Sequence, residues 1–163
     1  MAKFQMKEII SPYDTNITAR VADGTGAANQ LNDIDVGKLL KLVADSQYGL
    51  CAVGNEIEGI LDTANDVAPQ DGFNLGGVRA TKSGARATVT LDGLQATPGT
   101  GVIAVGDFVV AGTVVARGTG LLGVNPKVCK ATAAGSALVH KWRVVALLGA
   151  SGAVGQTATI ERV

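Results

Sequence analysis

Short β-favouring runs, each broken off by glycine, asparagine, aspartate or proline, recur from one end of this chain to the other. Apolar runs of roughly four to eight residues bounded by turn formers read as strands, and their close spacing leaves little room for a long helical stripe. In chain order they predict strands near residues 17–21, 38–44, 49–53, 57–63, 73–80, 86–91, 108–116, 121–124, 127–131, 141–148 and 157–163. Arg86-Ala-Thr-Val-Thr-Leu91 alternates with period two, as a half-buried strand should. Two stretches have a helical alternative. Val36, Leu39, Leu40 and Val43 stand at i, i+3, i+4 and i+7, but Gly37 interrupts them, and Gly135 weakens 131–139 in the same way. The expected class is mostly β, a small β-barrel or β-sandwich.

The chain has 163 residues, 22 of them glycine and six aromatic. That length suits one domain or two small barrels sharing a core, and 47% hydrophobic residues is a core-forming composition. Fourteen basic and 14 acidic side chains cancel, with no basic cluster, which argues against a nucleic-acid partner. The longest apolar runs, such as 144–148, fall far short of the roughly 20 residues that span a bilayer, so no membrane partner is expected. The opening Met-Ala-Lys-Phe-Gln-Met-Lys-Glu lacks an apolar signal core, so no secretory signal is expected. Cys51 and Cys129 have no CxxC spacing and read as buried, reduced thiols rather than zinc ligands.

Residues 1–30 differ in texture from 31–163, which reads as the β-domain. Phe4, Ile9, Ile10 and Tyr13 follow no clear period, and a polar connector begins at Asp23-Gly-Thr-Gly. An extended N-terminal arm over 1–16, with those four side chains binding a partner, is one reading. A first strand of the same barrel is the other.

Sliding the chain on itself by 69 to 71 residues aligns three pieces in order. Val36-Gly-Lys-Leu-Leu falls on Val105-Gly-Asp-Phe-Val, Gly49-Leu-Cys-Ala-Val on Gly120-Leu-Leu-Gly-Val, and Ala87-Thr-Val on Ala158-Thr-Ile. An internal duplication would give this pattern, with two similar sub-barrels at 34–95 and 101–163. Chance agreement between Gly/Ala/Val-rich segments is the competing explanation.

Chemistry is sparse. Gly118-Thr-Gly-Leu-Leu-Gly123 has the GxGxxG form of a dinucleotide turn, but Pro126 stands where its helix should begin and no acidic residue follows at the ribose distance. Gly149-Ala-Ser-Gly-Ala-Val-Gly155 resembles the opening of a semialdehyde-dehydrogenase-type Rossmann domain. Only eight residues follow it, too few for a βαβ unit, so a glycine hairpin between two last strands is the expectation. A dinucleotide-binding enzyme is thus a remote alternative. His140, the single histidine, has no GxSxG partner and is expected at a strand edge or interface. Asp33, Asp35, Asp62, Asp66 and Asp71 lack EF-hand spacing and read as turn residues. Glu56 and Glu58 are expected on one face of a solvated edge strand. No catalytic, metal or cofactor site is expected.

Three segments carry a family resemblance: Ile103-Ala-Val-Gly-Asp-Phe-Val-Val, Gly120-Leu-Leu-Gly-Val and the terminal Ala158-Thr-Ile-Glu-Arg-Val. With the phrases at 54–60 and 71–78, they make residues 34–163 similar to a tailed-bacteriophage capsid decoration (cement) protein. That resemblance implies a non-enzymatic virion protein, synthesised in the host cytoplasm, that binds the major capsid protein on the head surface. It implies a homo-oligomer, dimer or trimer. The same texture also suits another phage structural part, such as a head–tail joining or tail component.

Overall fold

The computed structural model describes residues 14–23, 29–44, 47–64, 74–81, 83–121, 125–133 and 135–163. Its strands are β1 (Asp14–Val21), β2 (Leu39–Ala44), β3 (Gln47–Leu50), β4 (Gly59–Ala64), β5 (Leu75–Thr81), β6 (Arg86–Leu94), β7 (Thr97–Pro98), β8 (Phe108–Ala111), β9 (Lys127–Lys130), β10 (Trp142–Leu147) and β11 (Thr157–Arg162). The first five close a barrel in the order β1-β3-β2-β4-β5, with β5 returning to β1. Strands β6, β9, β8, β10 and β11 close a second, sealed from Thr157↔Thr90 to Glu161↔Arg86, and β7 hangs from β6 as a short hairpin. The mostly-β class and the two sub-barrels expected from sequence are both present.

The barrels are one design built twice. Each has a single parallel pairing, β1 with β3 and β6 with β9, and four antiparallel ones in the same cyclic order. Register agrees as well as order. Leu39↔Ile60 in barrel 1 matches Phe108↔Arg143 in barrel 2, and Ile17↔Val78 matches Ala87↔Ile160. The bulge between Leu61 and Thr63 in β4 recurs between Val144 and Ala146 in β10. Turn bonds repeat too: Gly37 N–H donates to the Leu61 carbonyl (2.7 Å) as Gly106 N–H does to that of Val144 (2.8 Å). Both glycines have positive φ (90° and 95°), which an L side chain resists, so the Val-Gly pair is the turn chemistry that starts β2 and β8.

The boundaries differ from those the sequence suggested. The paired strands occupy 14–81 and 86–162, so each unit starts one strand earlier than 34–95 and 101–163. Asp14–Val21, part of the stretch considered as an arm, is barrel strand β1, paired from Asp14↔Thr81 to Arg20↔Leu75. Of the three self-matches, Val36-Gly37 and Val105-Gly106 are true counterparts. Gly49 corresponds to Cys129 rather than Gly120, and Ala87 corresponds to Ile17. The reason is an insertion. β3 starts at Gln47, directly after β2, whereas residues 112–126 separate β8 from β9. Every counterpart beyond that loop is displaced, so a constant offset cannot find it. The helical alternatives shrink to 3-10 turns at Asp33–Asp35 and Gly135–Ala137, and Leu39–Ala44 is a strand. The strand expected over 108–116 stops at Ala111, and Leu121 is in none.

Two apolar clusters follow from this arrangement. Val21, Leu31, Leu40, Leu61 and Val78 fill barrel 1. Val89, Leu91, Val109, Val144 and Ile160 fill barrel 2, and their cluster extends to Leu39, Cys51 and Ile57 of barrel 1. Leu39 is adjacent in sequence to the inward Leu40, so alternation turns it outward from its own barrel and into its neighbour's core. Trp142, fully buried, lies in this shared cluster and donates its indole N–H to the Ile57 carbonyl (3.0 Å).

Candidate interaction surface

The barrel junction collects three of the polar residues singled out in the sequence, Glu56, Glu58 and His140. Lys41 of β2, Asn55, Glu56 and Glu58 of the β3–β4 connection, and Val139 and His140 just before β10 line an open groove of about 330 Å³. Glu56 and Glu58 are not strand residues on a solvated edge, as expected, because β4 begins only at Gly59. Glu56 instead accepts from the backbone N–H groups of Val139 (2.9 Å) and His140 (2.6 Å), tying barrel 1 to barrel 2. His140 sits at this interface. Arg162 donates to its Nδ1 (2.5 Å), which puts the ring proton on Nε2, facing the Glu58 carboxylate at 3.8 Å.

Charge and burial act together here. Partial burial lowers the Arg162 pKa from its ordinary value, and the carboxylates of Glu58 and Glu56 oppose that shift. Burial raises the Tyr48 phenol, and Glu58 raises it further. The thiols are held protonated: burial pushes Cys51 up to about 12 and Cys129 up to about 11, the latter with help from Asp92. At neutral pH both are therefore protonated, and the thiolate that nucleophilic attack needs is scarce. Among the described residues no three His, Cys, Asp or Glu side chains gather around a common point.

A second tie is buried. Lys38 and Asp35, 3% and 0% exposed, pair at 2.6 Å, and the ammonium also donates to the Ala116 carbonyl (2.7 Å). The same Asp35 carboxylate accepts from Gly118 N–H (2.8 Å) and, through its other oxygen, from Asn32 N–H (3.2 Å). The glycine motif at 118–123 therefore turns its first backbone donor onto a carboxylate of barrel 1. Chain continuity after it leads to β9, not a helix, though 122–124 lie outside the described residues. The motif at 149–155 is the link between antiparallel β10 and β11, bridged through Ala153 to Val102. Asp62 pairs with Arg79 (2.6 Å), while Asp66, Asp71, Phe4, Ile9, Ile10 and Tyr13 lie outside the described residues.

Sequence reasoning missed the Asp35–Lys38 pair and the outward face of β2. A signal existed for each: charges three apart around Gly37, and the unalternating Leu39-Leu40-Lys41-Leu42-Val43, apolar on both faces. The most exposed apolar residues lie outside the strands, with Val139 (79%), Val102 (63%), Leu148 (59%) and Val105 (58%) foremost, while Leu42 and Val43 are exposed on β2. What this surface can do chemically is bind through backbone and apolar contacts. Comparison with protein-family models, curated proteins and solved structures finds no match for this chain.

Proposed function

We propose that this chain is a virion structural protein that attaches to the outside of a phage capsid and stabilises the head, as a decoration or cement protein. The observation that carries the reading is the fusion of two equivalent closed barrels through one shared core. A rigid body of this kind presents related surfaces a fixed distance apart, so it can bridge neighbouring capsid subunits. Modest affinity at each contact is then multiplied by simultaneous engagement. Zero net charge limits repulsion between copies crowded on one shell. The polar groups of the sharpest motifs support the same view, since Gly118 N–H and His140 Nδ1 are engaged within the chain. Exposed turn valines supply the contact surface instead. The major capsid protein is the partner, and the virion surface the location.

The test mixes purified protein with expanded, undecorated heads of its own phage and measures co-sedimentation and the temperature at which heads rupture. Stoichiometric binding with a raised rupture temperature is the expected outcome; failure to bind would end the assignment. Electron microscopy separates the second structural reading, because a joining or tail component forms a ring at one vertex or lies along the tail rather than coating the shell.

A further inference from the structure

In barrel 2 the far end of β8 is covered. Ala111 donates its N–H to the Asn55 carbonyl (2.9 Å) and accepts at its own carbonyl from Gly54 N–H (2.8 Å). Gly54 and Asn55 belong to the β3–β4 connection of barrel 1, so one barrel lends a backbone segment to a strand end of the other. The matching registers make Leu42 of β2 the counterpart of Ala111. Leu42 points its backbone N–H and carbonyl to the same side as Leu40, whose carbonyl accepts from Glu58 N–H (2.9 Å). Among the described residues no backbone group meets Leu42 there. Side chains repeat the contrast. Ala111 is 1% exposed, against 48% for Leu42 and 45% for Val43.

We propose that a second copy of this chain covers the Leu42 edge. Its β9–β10 connection, through the exposed Ser136 and Ala137, takes the place beside β2 that residues 54 and 55 take beside β8. The contact within one chain joins unlike surfaces: a connecting segment of barrel 1 meets a strand end of barrel 2. Such a contact leaves over one strand end on barrel 1 and, on barrel 2, the part of its connecting segment before the Val139 and His140 N–H groups that Glu56 holds. Repeated between chains, it closes into a ring or continues as a filament. Ser136 and Ala137 are exposed in that second connection, as a pairing segment must be. An uncovered apolar strand edge is also the feature that recruits another backbone. This inference rests on the equivalence of the barrels and not on the capsid assignment.

Light scattering on the purified full chain, without phage heads, separates the two. Wild type is expected above the 16.4 kDa of one chain, increasingly so with concentration. Leu42→Asp and Ala137→Glu should each weaken association about tenfold or more, with thermal unfolding little changed. Val43→Lys repeats the edge test should Leu42→Asp misfold. Mixing Leu42→Asp with Ala137→Glu should restore dimers and nothing larger, since one intact edge and one intact segment remain. A wild type that stays at one chain's mass overturns the proposal. So does full association by Ala137→Glu when Leu42→Asp loses it, which would indicate pairing edge to edge.

Discussion

Barrel 1 and barrel 2 share a backbone, strand for strand and bulge for bulge, yet the side chains at equivalent places do opposite things. Gly59 of β4 is the counterpart of Trp142 of β10. At Gly59 the neighbouring strand β5 is so close that a Cβ would lie 2.6 Å from Val78 Cγ1. At Trp142 the same backbone position carries the largest buried side chain, which reaches across to the other barrel. Lys38 and its counterpart Asp107 differ likewise: one charge is fully buried against Asp35, the other pairs at the surface with Lys130 (2.9 Å). The hydrogen-bonded ring is the same in both, and the side chains differentiate the two into dissimilar halves of one joint.

Paired substitutions test that contrast. Trp142→Ala is expected to cost about 5 kcal/mol, combining the cavity with an unpaired Ile57 carbonyl. Denaturant unfolding should show both barrels weakened together, and separate loss of barrel 2 alone would refute the shared core. Lys38→Met leaves the buried Asp35 carboxylate uncompensated and should cost about 3–4 kcal/mol by the same measurement. Gly59→Ala, the mirror of the tryptophan change, overpacks barrel 1 by about 1–3 kcal/mol, and an unchanged midpoint would show that Val78 yields freely.

The smallest effect belongs to Asp107. Partial burial pushes its carboxyl pKa up, but the Ala104 N–H (2.8 Å) and Lys130 outweigh this and hold it below the ordinary value. A lowered folded-state pKa stabilises above the unfolded carboxylate value of about 3.9, and that contribution disappears as pH falls through the folded value. Asp107→Asn should therefore cost a few tenths of a kcal/mol at pH 7, since the pair is partly solvated. Wild-type and variant midpoints should converge in acid. A difference that persists at the lowest pH would assign the effect to packing.

Because Asp14–Asn16 pair with 79–81, removing residues 1–16 takes three residues from β1, whereas the arm reading treated that stretch as dispensable to the fold.

Local chemistry alone determined the β class, the Val-Gly turns that open β2 and β8, the hairpin at 149–155 and the burial of both thiols. Each depends on neighbours within a few residues, through alternation, positive φ or apolar surroundings. The suspicion of a repeat was legible for the same reason, in the single match that lay before the 112–126 loop. Tertiary structure decided which strands close onto which, that β1 belongs to the first ring, and that Glu56, His140 and Arg162 meet at the junction. It also decided that the Gly118 donor faces Asp35. Those contacts join residues tens of positions apart, and no short pattern encodes a partner whose separation is set by loop length. The decisive difference between the barrels, a covered Ala111 and an open Leu42, exists only once one ring is laid over the other.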